Sequence, residues 1–264
     1  MTNPAPGFFN NPTREIRLDP SPRRVRVRFG AEWIADSTGM VLMYETGHLP
    51  VYYFPVKDVR FDLLHPTDHS SHCQYKGDAS YWTIEAGGKT SENAVWAYQT
   101  PFDEMTALSL QDYCAFYWDR VDHWYEEDEE IFVHPRDPLK RIDTVASSRE
   151  VSVIMGGETI AKSTGAYFLF ETGLPTRYYL PPEDVRLDLL TPTATSTQCP
   201  YKGIAKYWSA DIGGRTFEDI VWSYPDPVPE CPKIKDLMCF YNENVDAILV
   251  DGEETEKPTN KWSK

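Results

Sequence analysis

The sequence predicts a mainly β protein of two tandem, homologous small domains, each a β-sandwich or partly closed barrel with few short helices. Three observations predict it. The chain repeats itself, its apolar residues alternate with polar ones over short runs bounded by turn residues, and no segment sustains a helical period over three turns.

The repeat carries the most weight, because a fixed internal period sets the whole architecture. Glu45–Pro101 aligns without gaps on Glu171–Pro227, with about half the positions identical. Both copies have a Gly pair (Gly87-Gly88, Gly213-Gly214) and a V-W-x-Y run (Val95 to Tyr98, Val221 to Tyr224). After a two-residue gap, Phe116-Tyr117 matches Phe240-Tyr241 and Val121-Asp122 matches Val245-Asp246. Upstream, Arg17-Leu18-Asp19 aligns with Arg141-Ile142-Asp143. Each unit is about 115 residues, enough for one core, and the domains are set at 15–130 and 139–256. The seam, Glu126–Leu139, is acidic and then Pro-containing, which is linker chemistry. The acidic run Glu126 to Glu130 is expected to be solvated, and the polar tail after Glu253 to fray.

In chain order, Arg24 to Phe29 alternates as a half-buried strand, repeated by Glu150 to Val153. Gly30 and Gly156-Gly157 turn the chain into Glu32 to Ala35 and Glu158 to Ala161. Val41–Tyr44, Tyr52–Phe54, Tyr81–Glu85, Ala94–Tyr98 and Tyr113–Tyr117 follow as strands, as do Tyr167–Phe170 and Arg177–Leu180 in the second copy. Pro55–Val59 and Pro181–Val185 open on Pro and read as one short helical turn.

Composition narrows the function. A net charge of -15 argues against nucleic acid and against an anionic membrane surface as partners. No apolar run is long enough to span a bilayer, and the first twenty residues lack a signal-peptide core. Five Cys without CxxC spacing read as free thiols, so a cytoplasmic location is expected. No dinucleotide, pyridoxal-phosphate or P-loop fingerprint is present, so no cofactor is expected.

E-T-G, then Y-Y-x-P-x-x-D-V-R-x-D-L-L-x-P-T, C-x-Y-K-G-x-A-x-Y-W and V-W-x-Y, in both copies, resemble the domain-of-unknown-function 427 family. One catalogue also labels that family a nucleotidyltransferase-type domain. The resemblance implies a small β-rich fold and brings no catalytic residues with it. Nucleotidyltransferases hold metal–triphosphate with paired acids and a Gly/Ser-rich loop, whereas Asp62 and Asp188 stand singly.

Three constellations could carry chemistry. The first is the C-x-Y-K-G-x-A-x-Y-W run, Cys73 to Trp82 and Cys199 to Trp208. It reads as a hairpin whose Lys-Gly takes the turn. It also gathers an amine (Lys76, Lys202), a phenol (Tyr75, Tyr201) and a thiol (Cys73, Cys199) beside an indole wall (Trp82, Trp208), a set fit to bind a planar or anionic ligand or to supply an acid. The second is D-V-R-x-D-L-L. Here Arg60 and Arg186 lie two residues from Asp62 and Asp188, on one strand face. Either they pair with these acids or they clamp a carboxylate or phosphate, with Glu45 or Glu171 at a strand end as base. The third is His65, His69 and His72 with Asp68 and Cys73, donor types that hold transition metals; the second copy keeps only Cys199. Trp96, Tyr98, Trp222 and Tyr224 are core or pocket wall.

These readings lead to a protein that binds a small polar metabolite, with cofactor-independent acid–base catalysis by Glu45, Lys76, Glu171 and Lys202 open. The alternatives are a non-catalytic interaction module in which the hairpin is only architectural, and a metalloenzyme centred on the three histidines. The halves are expected to pack on each other.

Overall fold

The computed structural model describes residues 2–259. The chain divides between Pro135 and Arg136 into two compact units. The first holds β1 (Ile16–Pro20), β2 (Val25–Phe29), β3 (Glu32–Ser37), β4 (Val41–Glu45), β5 (Val51–Pro55), β6 (Leu64–Cys73), β7 (Gly77–Ala86), β8 (Lys89–Ala97), β9 (Tyr113–Phe116), β10 (His123–Glu126) and β11 (Glu129–Ile131). It adds two short helices, α1 (Pro6–Asn10) and α2 (Asp103–Thr106). The second unit holds β12 (Ile142–Ala146), β13 (Val151–Met155), β14 (Glu158–Ser163), β15 (Tyr167–Glu171), β16 (Arg177–Leu180), β17 (Leu190–Cys199), β18 (Gly203–Ile212), β19 (Arg215–Ser223), β20 (Met238–Phe240), β21 (Ala247–Val250) and β22 (Glu253–Glu254).

Each unit is a sandwich of two open sheets, and neither closes into a barrel. The larger sheet runs β1-β4-β5-β9-β8-β7-β6, and in the second unit β12-β15-β16-β20-β19-β18-β17. The smaller runs β11-β10-β2-β3, and β22-β21-β13-β14. No described helix is long and apolar enough to cross a membrane.

Because side chains alternate across a sheet, each large sheet carries two apolar faces. Val27, Ile34, Phe54, Ile84 and Val95 fill the space between the sheets of the first unit, as Val153, Ile160, Leu180 and Val221 do in the second. Each such buried side chain contributes about 1.5–3 kcal/mol. The outer face bears a second cluster, Met43, Tyr53, Tyr81 and Tyr98, roofed by Met105 and Leu110. Leu169, Tyr179, Tyr207 and Tyr224 repeat it under Cys231 and Ile234. The Tyr-Tyr pairs of the sequence serve both faces: Tyr52 points into the sandwich and Tyr53 to the outer face.

The Gly pairs have a reason that spacing alone does not show. The β2–β3 turn at Gly30 touches the β7–β8 turn at Gly87, and a Cβ on Gly87 would lie 1.8 Å from the Gly30 carbonyl oxygen. Both glycines have positive φ, 57° and 56°. Gly156 and Gly213 repeat the contact.

Four expectations need correction. Ile16 pairs with Glu45 and Ile142 with Glu171, so the units correspond at an offset two residues away from the match of Arg17 with Arg141. A slip of two keeps each residue on its face, and an R-x-D ion pair recurs locally in both (Arg17–Asp19, Arg141–Asp143), which is why the shorter match looked convincing. D-V-R-x-D-L-L is not a strand, because Phe61–Leu63 and Leu187–Leu189 are 3-10 turns. The acidic run is a hairpin of the first unit rather than a linker; Glu126 is buried, bonded to the Tyr52 hydroxyl and, at 2.6 Å, to Arg23. The tail is docked as far as Lys257, with the Thr255 amide donating to Ile248 and Lys257 to the Val245 carbonyl; residues 260–264 lie outside those described.

Candidate functional site

The C-x-Y-K-G run forms the tip of the β6–β7 hairpin, and its counterpart the tip of β17–β18. Cys73 pairs with Gly77 and Cys199 with Gly203, leaving Gln74, Tyr75 and Lys76 in the turn. Gly77 and Gly203 adopt φ of 101° and 109°, which a side chain would strain. The following segment crosses beneath the tip: the amides of Phe102 and Val228 donate to the carbonyls of Lys76 and Lys202, at 3.2 and 3.1 Å. The turn is thereby fixed and the lysine side chain is aimed inward.

There it meets the glutamate at the end of β4 or β15. Lys76 donates to Glu45 at 2.5 Å, and Lys202 to Glu171 at 2.5 Å. Only 7% of Lys76 and 9% of Lys202 is exposed. In the first unit Arg14 also reaches Glu45, donating to its other oxygen at 2.5 Å while stacked 4.9 Å over the Tyr75 ring. Burial pushes the Glu45 carboxyl up, but hydrogen bonds from Lys76 and Arg14 prevail and hold it below its ordinary 4.5. Burial pulls the Lys202 ammonium down, yet its neighbours Cys199 and Glu171 leave it raised.

Four tyrosines complete the face. Trp96 donates to the Tyr53 hydroxyl at 3.2 Å, and Trp222 to the Tyr179 hydroxyl at 3.1 Å. The Tyr98 ring lies 6.0 Å from the Lys76 ammonium. Burial raises Tyr53, Tyr98, Tyr179 and Tyr224, so all four stay phenols. Tyr98 and Tyr224 differ from the other two in one respect. Their rings are buried, but their hydroxyls bond to none of the described residues.

The remaining predicted residues sort by face and by distance along the sheet. Cys73 and Cys199 are half-buried at the edge of the outer clusters. Tyr75 lies under the N-terminal segment, edge-on to Phe8, with its ring where a Cβ on Gly7 would stand. The Tyr201 hydroxyl accepts from the Asp137 amide at 2.7 Å, and burial pushes its phenol up to about 12. The structure thus brings Glu45, Lys76, Tyr75 and Cys73 together, and likewise Glu171, Lys202, Tyr201 and Cys199.

It does not bring the others to them. Trp82 and Trp208 follow Tyr81 and Tyr207 directly, so they face the sandwich core instead. Arg60 and Arg186 are about half exposed and forked onto Asp62 and Asp188, which holds those carboxyls down. Arg60 lines a different open cleft, of about 500 Å³, with Glu32, Glu85 and Lys89. His65, His69 and His72 separate along the edge strand β6: His65 faces Glu85 at 3.4 Å, His69 packs edge-on to Tyr81, and His72 bonds Asp78 at 2.6 Å. Among the described residues no three His, Cys, Asp or Glu side chains converge as a metal-holding group.

Two features escape sequence reasoning. Arg14 lies upstream of the gapless repeat, where nothing marks it. In the second unit Arg177 forks onto the fully buried Glu243 at 2.7 Å twice, 5.5 Å from the Trp222 ring. The only sequence signal was an arginine on an apolar strand, at the position of Val51.

The model of a domain of unknown function, DUF427, matches residues 17–127 and again residues 143–251. The chain therefore belongs to that family, as a tandem of two such domains. No curated protein matches it.

Proposed function

We propose that each half of this tandem DUF427 protein binds a small polar molecule on the outer face of its large sheet, at Glu45, Lys76 and Tyr98 in the first unit and Glu171, Lys202 and Tyr224 in the second. The observation that carries this reading is the pair of protonated tyrosine hydroxyls without a protein partner, on rings that are buried, each beside a buried amine–carboxylate pair. A phenol that stays protonated can donate to a ligand and accept from it. The Lys–Glu pair also supports it. A buried ion pair is often no more stabilising than apolar residues of the same size, yet both units have one. The same groups supply acid–base chemistry without a cofactor, the phenol as acid and the carboxylate as base.

A second reading is favoured by the closure of the lysines: the pair is a latch that fastens the hairpin tip to β4 or β15, and the domain is an interaction module. Thermal denaturation with a panel of metabolites separates the two. Under the binding reading, Lys76→Ala with Lys202→Ala abolishes ligand-induced stabilisation in a protein that still melts cooperatively. A latch predicts that wild type gains nothing from any member of the panel and that the variants unfold.

A further inference from the structure

The two units treat their glutamates differently, and the difference is electrostatic. Glu171 meets one cation, Lys202. Glu45 is shared by two, Lys76 and Arg14. The second unit's counterpart of Arg14 is Lys140, by the register of β1 and β12, and its ammonium turns away to the Thr172 carbonyl at 2.7 Å. The first cluster therefore carries one uncompensated positive charge and the second carries none.

Arg14 is also poorly satisfied. Its Nη2 bonds Glu45, its buried Nε has no partner, and its Nη1 bonds none of the described residues. The same arginine lines a cleft of about 490 Å³ with Phe8, Ile16, Met105 and Leu108 as apolar wall. That volume falls in the ordinary range for small-molecule pockets, about 300–1,000 Å³. Glu15 and Glu104 stand at the same cleft, as does Arg17, whose charge is already met by Asp19 at 2.9 Å.

We infer that this cleft is a binding site for a small monocarboxylate with an apolar body. The carboxylate meets the Arg14 guanidinium, which is built for such a partner, and the body lies against Phe8, Ile16, Met105 and Leu108. Glu15 and Glu104 repel a second negative charge, so dicarboxylates are excluded. The inference goes beyond the proposed function: the cleft is lined by none of Glu45, Lys76 and Tyr98, and it touches that site only through the Arg14–Glu45 bond.

The test is titration calorimetry of the full chain with 3-phenylpropionate, its amide and succinate. The expected result is saturable binding of 3-phenylpropionate only, weakened about tenfold or more in Arg14→Met and unchanged in Lys140→Met. Leu108→Glu, on an exposed wall position that tolerates substitution, also loses binding and guards against misfolding of the arginine variant. Equal binding of the amide, or binding that survives both Arg14→Met and Leu108→Glu, overturns the inference. So does the absence of binding at millimolar concentration. If phenylpropionate fails while other metabolites stabilise the protein in a Lys76-dependent way, the monocarboxylate is wrong and the wider binding function stands. If phenylpropionate binds through Arg14 and no ligand depends on Lys76 or Lys202, the cleft stands and the outer-face site falls.

Discussion

The two units share topology, core and hairpin tips, and they part company where charge is buried. The first buries Glu126 against Tyr52 and Arg23, and surrounds Glu45 with two cations. The second has apolar Val250 where Glu126 stands, since both pair with the first residue of the central strand, Val25 or Val151. It buries Arg177 and Glu243 instead, at positions where the first unit has Val51 and the exposed Asp119. Each sandwich thus buries an acid paired to an arginine at a different place, half-exposed at Arg23 and deep at Arg177. The Lys–Glu pair at the hairpin tip is common to both. That contrast separates it from incidental burial and supports a shared role.

The largest effect is expected where the units differ most. Glu243→Gln leaves a buried guanidinium without its counter-charge and lowers stability by about 3–5 kcal/mol, whereas Asp119→Asn in the first unit costs under about 0.5 kcal/mol; equilibrium urea unfolding measures both. Next comes the hairpin lysine. Lys202→Met strands Glu171 without a cation and costs about 3 kcal/mol, more than Lys76→Met, because Arg14 still holds Glu45. Equal losses would mean that Arg14 does not share the load.

A smaller contrast lies within one face. Tyr53→Phe removes the acceptor of the Trp96 indole and costs about 1 kcal/mol, while Tyr98→Phe removes a hydroxyl with no protein partner and leaves stability unchanged or slightly higher. The smallest effect is on pH. Glu45 has a folded-state pKa below its ordinary 4.5, so its contribution is complete above that value and is lost as the pH falls through the depressed one. Glu45→Gln should therefore flatten the acid limb of the stability profile below about pH 4.5.

Much of this architecture was legible in the sequence, for identifiable reasons. Strands such as Val25–Phe29 carried their own alternation, and the repeat fixed the number of units. The hairpin tip was legible because Lys-Gly has one conformational use there, and Glu45 because it ends an apolar strand. What escaped depends on the third dimension. Trp82 was grouped with Lys76 because they are near in sequence, but one residue of strand separates opposite faces. Arg60 pairs with its neighbour Asp62 in a turn that apolar residues disguised as strand. Arg14 belongs to the site only because β1 lies beside β4, a pairing no local pattern encodes. The unpartnered state of the Tyr98 and Tyr224 hydroxyls is a property of what surrounds them, not of the V-W-x-Y run.

The most direct test of the tyrosines as recognition groups is ligand-induced thermal stabilisation of the Tyr98→Phe, Tyr224→Phe double variant beside wild type. The account predicts a variant that melts at or above the wild-type temperature alone and gains nothing from the ligands that stabilise wild type. A variant that keeps the full ligand shift, or that melts well below wild type without ligand, would contradict it.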